Sequence, residues 1–249
     1  LLTVVRDSIV VNNPEPAYGG SDQKEIERLR LEAMAHFAAQ NRAVTKEDYI
    51  LRCYSMPAKY GAIAKAYIVQ DDQISTSDSS LRLENPLAMN LYILAYDDQK
   101  RFVQANEALK ENLRAYLSQY RLLTDAINIK DTSIVNIGIN FDIVTRPSHN
   151  SNAVIFKCIQ RLKELFSPDK MEINSPIMKG KIIAELDRVD GVQSIERLEF
   201  ECKTGTGYSS NWYDLELATR GSVTFPSMDP MIFEVRSPDQ DLKGRVVDI

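Results

Sequence analysis

The chain has 249 residues, of which 44% are apolar, 26% charged and 8% aromatic, with ten Gly and ten Pro. This composition suits one large globular domain or two modest ones and excludes collagen-like, coiled-coil and wholly disordered architectures. Thirty basic against 35 acidic residues leave a formal charge of −5, so the chain as a whole does not attract phosphate backbones or anionic lipid, and nucleic acid is not an expected partner. Residues 1–11 read as a β-strand with nothing before it, the pattern expected of a fragment that begins inside an element, and they carry no signal peptide. Residues 12–20, with Pro14, Pro16, Gly19 and Gly20, form a turn-rich linker. Ser21 then caps a helix expected to run to about Gln40, with Ile26, Leu29, Ala33 and Phe37 at helical spacing and Met34 beside them. Thr45 followed by Asp48 at the third helical position predicts a second capped helix to about Tyr54.

From Gly61 the runs 62–70 and 87–96 read as strands, separated by a polar loop at 71–85. The longest uncharged stretch, 85–96, has twelve residues, well short of the roughly 20 that a membrane span needs. A helix follows at 104–120, with Ala105, Ala108, Leu109, Leu113, Tyr116, Leu117 and Tyr120 as its apolar stripe. The clearest strand signal is the alternation of Val135, Ile137, Ile139, Phe141 and Ile143 against Asn136, Gly138, Asn140 and Asp142, which predicts one core face and one wet face. Beyond Pro147, helices are expected from Ser151, with Val154, Cys158 and Leu162 on its apolar side, and over 176–188. A strand is expected at 195–202, with one or two more in 221–235. The fold class is α+β: small mixed sheets packed with amphipathic helices, in more than one domain.

Residues with chemical potential are few. Cys53, Cys158 and Cys202 lie 105 and 44 residues apart, which is neither a disulfide framework nor a zinc half-site; they read as core thiols of a protein that folds in a reducing compartment. His36 and His149 are the only histidines, and no nucleophile motif or Walker A sequence accompanies them, so no catalytic residue, metal ligand or cofactor is expected. The pairs Asp71-Asp72 and Asp97-Asp98 read as solvated turns rather than cation ligands. The Gly205 and Gly207 loop is the basis of an alternative in which the chain is a small-molecule or nucleotide-binding enzyme domain. Tyr208, Trp212 and Tyr213 crowd one loop and are candidate interface anchors, with packing on the chain's own strands as the competing reading.

The run Pro16-Ala17-Tyr18-Gly19-Gly20-Ser21-Asp22, then Glu25, Arg28 and Arg30, then Gln40-Asn41-Arg42-Ala43-Val44-Thr45-Lys46-Glu47-Asp48-Tyr49 resembles the baseplate J-like family of contractile-tailed phages and related injection machines. Leu122-Leu123-Thr124-Asp125-Ala126-Ile127-Asn128-Ile129-Lys130-Asp131 and the strand after it are similar to the T-even wedge branch of that family, extending the likeness to about residue 145. The resemblance implies a non-enzymatic virion protein of the tail baseplate, assembled in the host cytoplasm. Such a subunit pairs with itself as a homodimer, binds other baseplate wedge proteins, and joins a ring around the hub that transmits the signal for sheath contraction. It implies architectural roles for Gly19 and Gly20 in the turn, for Thr45 and Asp48 as helix caps, and for Arg42 and Tyr49 in packing the helix pair. The expected division is 1–60 (a strand trailing from an upstream domain plus two J-like helices), 61–147 (a β-β-α-β domain) and 148–249 (a C-terminal α+β domain).

Overall fold

A computed structural model describes residues 42–70, 88–227 and 229–247 together with Ile26, Arg30 and Met34. The expected 1–11 strand, the 12–20 linker, the rest of the 21–40 helix and the 71–85 loop lie outside the described residues. Ile26, Arg30 and Met34 are helical and exposed.

Thr45 is the N-cap of α1 (Lys46–Tyr54). Its hydroxyl accepts the Asp48 N–H at 3.2 Å, while the Asp48 carboxylate accepts the N–H groups of Thr45 at 2.9 Å and Val44 at 3.0 Å. The pairing satisfies donors that helix geometry leaves without partners. A one-turn 3-10 helix, Ala58–Tyr60, leads toward β1 (Lys65–Gln70).

The first sheet is built on β2 (Ala88–Tyr96). β1 pairs with it antiparallel, from Lys65 opposite Leu94 to Gln70 opposite Met89. The short β3 (Phe102–Val103) pairs antiparallel with Ala95 and Tyr96, and β4 (Ala126–Asp131) runs parallel to residues 88–93. α2 (Glu107–Leu117) is capped by Asn106, whose side chain accepts the Leu109 N–H at 2.8 Å. It is shorter at both ends than the apolar stripe predicts, because Asn106 starts it late and Ser118 ends it. Tyr49 and Cys53 from α1 and Leu109, Leu113 and Leu117 from α2 cover Ala66, Ile68, Leu91 and Ile93 of the sheet.

The second sheet is organised by β5 (Ser133–Thr145). β7 (Val192–Lys203) pairs antiparallel along one side, with register shifts at Asp142/Ile143 and Val144/Thr145. β10 (Met231–Glu234) and β11 (Leu242–Val246), joined by the short α5 (Pro238–Asp241), run parallel to successive stretches of β5. α3 (Ser151–Leu165), capped by Asn150, and α4 (Lys179–Asp187) supply Val154, Cys158, Leu162, Ile182 and Leu186 to the core over Ile137, Ile139, Phe141 and Ile143. A separate antiparallel ribbon joins β6 (Ile177–Met178), β9 (Val223–Thr224) and β8 (Thr219–Arg220).

Three expectations change. β5 does not complete the sheet of β1 and β2: β4 does, and β5 pairs with C-terminal strands, so hydrogen bonding passes over the punctuation at Pro147. The face of β5 predicted to be wet is dry in its first half, where Asn136 and Gly138 are buried. A Cβ on Gly138 would lie 2.8 Å from Lys203 Cε and 3.3 Å from the Asp241 carbonyl, so the covering segment sits close against this position. Pro176 does not open a helix: Ile177 and Met178 are drawn into pairing with Val223 and Thr224, and α4 starts at Lys179, whose N–H donates to the Ser222 carbonyl at 2.8 Å.

Candidate functional site

The two sheets meet across a small apolar cluster of Ala64, Leu94, Phe102, Ile134, Ile173 and Ile232, and beside it runs a polar seam. Glu234, 3% exposed, accepts the Phe102 N–H at 2.7 Å on one carboxylate oxygen and the Asn136 amide at 2.7 Å on the other. Burial pushes its carboxyl above the usual glutamate range, opposed by those two donors and by Arg236, whose Nη1 lies 3.7 Å away. The fully buried Asn136 accepts the Ser209 N–H at 2.6 Å, and the Ile134 carbonyl accepts both the Ser209 hydroxyl at 2.7 Å and the Asn211 amide at 3.0 Å. One acid therefore ties β3, β5 and β10 to the loop after β7. A second tie crosses nearby: the buried Lys65 ammonium donates to the Asp169 carbonyl at 3.0 Å and to the Glu172 carboxylate at 2.9 Å. None of this was anticipated, although Glu234 stands as a single acid in the run Met231-Ile232-Phe233-Glu234-Val235, a placement that calls for buried partners.

Of the residues matched to the J-like block, Gly19 and Gly20 lie outside the described residues. Thr45 and Asp48 form the reciprocal cap described above. Burial raises the Asp48 carboxyl, and the hydrogen bonds from Thr45 and Val44 together outweigh it and hold the group below its usual range. Tyr49 is fully buried, and its hydroxyl donates to Asp125 Oδ2 at 2.6 Å, tying α1 to the turn that feeds β4. Burial, then that carboxylate, raise the phenol's pKa. Arg42 is exposed, and the helix expected to pair with α1 lies almost wholly outside the described residues.

The three crowded aromatics divide by environment. The Tyr208 hydroxyl donates to Asp241 Oδ1 at 2.6 Å, and Asp241, 2% exposed, also accepts the Ser237 N–H at 2.8 Å. The Tyr213 ring meets Phe233 edge-on at 6.0 Å, and its hydroxyl donates to the Phe225 carbonyl at 2.9 Å. Trp212 is 71% exposed. Two of the three thus bind the loop to the chain's own α5 and β10, while the third faces outward.

The remaining candidates sit in turns or in the core. Gly205 and Gly207 adopt φ of +111° and +88°, and the segment after them is turn and irregular chain, so the loop does not lead into a helix as a phosphate-cradling loop does. Asp97 accepts the N–H groups of Gln99 at 2.9 Å and Arg101 at 2.8 Å, the geometry of a side-chain-closed turn. His149 Nε2 is 3.5 Å from Asp190 Oδ1 in a surface turn; His36 and the Asp71-Asp72 pair lie outside the described residues. Cys53 and Cys158 are buried and Cys202 half-buried, all three free; burial pushes the Cys53 thiol up to about 12 and Cys158 up to about 11. Among the described residues no three His, Cys, Asp or Glu side chains gather as metal ligands, and no helix is long and apolar enough to cross a membrane.

No family model matches the chain, and no curated protein matches it in sequence. Its fold is similar to that of a chain in a cryo-EM structure of the anti-feeding prophage (AFP) baseplate, 6-fold symmetrised, with a TM-score of 0.53 at 14% identity. The match covers 94% of this chain and 44% of that one, so the chain spans less than half the length of its structural neighbour.

Proposed function

We propose that this chain is a structural subunit of a contractile-tail baseplate, part of the virion rather than an enzyme. The observation that carries the reading is the fold shared with an AFP baseplate chain along 94% of the sequence. The likeness of the Pro16–Asp22 and Gln40–Tyr49 runs to the J-like family points the same way, and within the second run Thr45 and Asp48 form the reciprocal cap while Tyr49 anchors α1 to the turn before β4. The polar seam suits such a role: its buried carboxylate holds backbone and amide donors from separate strands, which stiffens a body that must pass force between neighbours.

In its finer form the subunit is a wedge protein of the J-like, T-even type, assembled in the host cytoplasm. It pairs with itself, binds other wedge proteins, and closes a ring around the hub through which the contraction signal passes. Of the segments 1–60, 61–147 and 148–249, the last two would be merged by β5, which leaves the first sheet to pair with β7, β10 and β11.

The test is incorporation. A tagged copy of the whole protein, expressed during tail assembly, is expected to purify with intact baseplates and to occupy six-fold related positions in reconstructions of them. Baseplates that assemble in full without it would overturn the reading. Light scattering over a concentration series then tests self-pairing, for which a mass of two chains is expected.

A further inference from the structure

Between β7 and β10 the chain makes an excursion over residues 204–230 that returns to the same sheet, and its frame is fixed by bonds to itself and to the core. Asp214 Oδ1 accepts the Leu217 N–H at 2.9 Å, and the Thr219 hydroxyl reaches the Leu215 carbonyl at 2.6 Å and the buried Thr224 hydroxyl at 2.8 Å. Tyr213 and Leu215 point into the core. Against that frame Trp212, Leu217 and Phe225 are 71%, 83% and 45% exposed. They stand on adjoining segments, since the Tyr213 hydroxyl bonds the Phe225 carbonyl at 2.9 Å and the Phe225 N–H bonds the Ala218 carbonyl at 3.1 Å. Large apolar side chains held outward on an ordered frame mark a contact surface more often than a packing error.

The charge around these side chains selects the occupant. The excursion carries Asp214, Glu216 and Asp229 against a single cation, Arg220. Glu216 and Asp229 are exposed and are in none of the ion pairs among the described residues. A second copy laid face to face would bring the same acids against them, whereas a segment with Lys or Arg beside apolar anchors would match both the exposed apolar side chains and the excess of acid on the excursion. We infer that this excursion is the docking face for a basic, apolar segment of a neighbouring baseplate protein, an inference that rests on the assembly role proposed above.

Trp212 is the only tryptophan in the chain, so its emission reports directly on this face. The whole protein would be titrated with each purified protein of the same baseplate, at low and high salt, while tryptophan emission and light scattering are followed. For emission, each partner's own signal is subtracted. One partner is expected to bind saturably with a blue shift of Trp212 and to bind more weakly as salt rises. Leu217→Ser, and the pair Glu216→Lys with Asp229→Lys, are each expected to weaken it at least about tenfold. Phe156→Ser, exposed on α3, is expected to leave binding unchanged, with circular dichroism confirming that every variant is folded. Binding that leaves Trp212 emission and the affinity of these variants untouched would overturn the docking face while leaving the assembly role standing. A homodimer dissolved by Leu217→Ser would assign the face to a second copy and overturn the basic partner. Failure to bind any baseplate protein would overturn both.

Discussion

Glu234 on β10 accepts the backbone N–H of Phe102 on β3 at 2.7 Å, and these residues, 132 positions apart, belong to different sheets. The Phe102 ring lies in the apolar cluster between those sheets and stacks on Tyr96 at 5.5 Å. The junction therefore has an apolar centre and a charge-assisted edge, and removing the acid leaves donors stranded where water cannot replace it.

Glu234→Ala is expected to destabilise the protein by about 1–3 kcal/mol for each donor it orphans, the Phe102 N–H and the Asn136 amide. Urea unfolding at neutral pH measures this. Because the folded-state carboxyl titrates above its unfolded value, the native state retains this proton over a pH range where the unfolded chain has lost it. Its contribution is full below the ordinary glutamate pKa and declines as pH rises through the raised value. The stability of the wild type relative to Glu234→Gln should therefore fall from pH 4.5 to pH 8, and a flat or rising difference would contradict the assignment.

Thr45→Ala removes one half of the cap on α1 and is expected to cost about 1 kcal/mol. Asp48→Asn weakens the other half. The Asp48 pKa is lowered on folding, so its contribution is present above the ordinary aspartate value and is lost as pH falls through the folded one. The gap between wild type and Asp48→Asn should accordingly close in acid, as seen in parallel urea titrations.

Gly244→Ala should destabilise by about 1–3 kcal/mol through overpacking. A Cβ there would lie 2.5 Å from Cζ of the buried Phe141 ring and 3.2 Å from Ile155 Cγ2, with α3 closing the space. Pairing it with Phe141→Leu should recover part of the loss, and thermal unfolding of the single and double variants tests this compensation.

Thiol labelling of the folded protein at pH 8 should modify at most one cysteine, Cys202, which is half-buried beside the Tyr213 N–H at 3.4 Å. Cys53 and Cys158 are buried and their thiols are pushed up to about 12 and about 11, so they should react only after denaturation. Mass spectrometry of labelled peptides distinguishes the sites.

Periodicity located the helices because each buries one stripe, and it located β5 because its core face alternates even where its other face is also covered. Leu109, Leu113, Tyr116 and Leu117 on α2 and Val135, Ile137, Ile139, Phe141 and Ile143 of β5 are interior, as their spacing requires. Local chemistry also placed Thr45 at the head of α1. β4 escaped notice because its residues are half-buried or exposed and show no clean alternation. The β6 pairing escaped because its partners lie some 45 residues away. The aromatics were legible as a cluster, but which of them turned inward depended on Asp241 of α5 and Phe233 of β10 arriving from later in the chain.

The sequence by itself determined the class of the fold, the apolar stripes of its helices, the core face of its central strand and the Thr45 cap of α1, because these follow from spacing and from groups within a few residues of one another. Tertiary structure alone decided which sheet β5 belongs to, why Asn136 and Gly138 are dry, and that Glu234 and Lys65 join the halves. Those outcomes depend on partners some 40 to 130 residues apart in the chain, and hydrogen bonds and excluded volume act on distance in space.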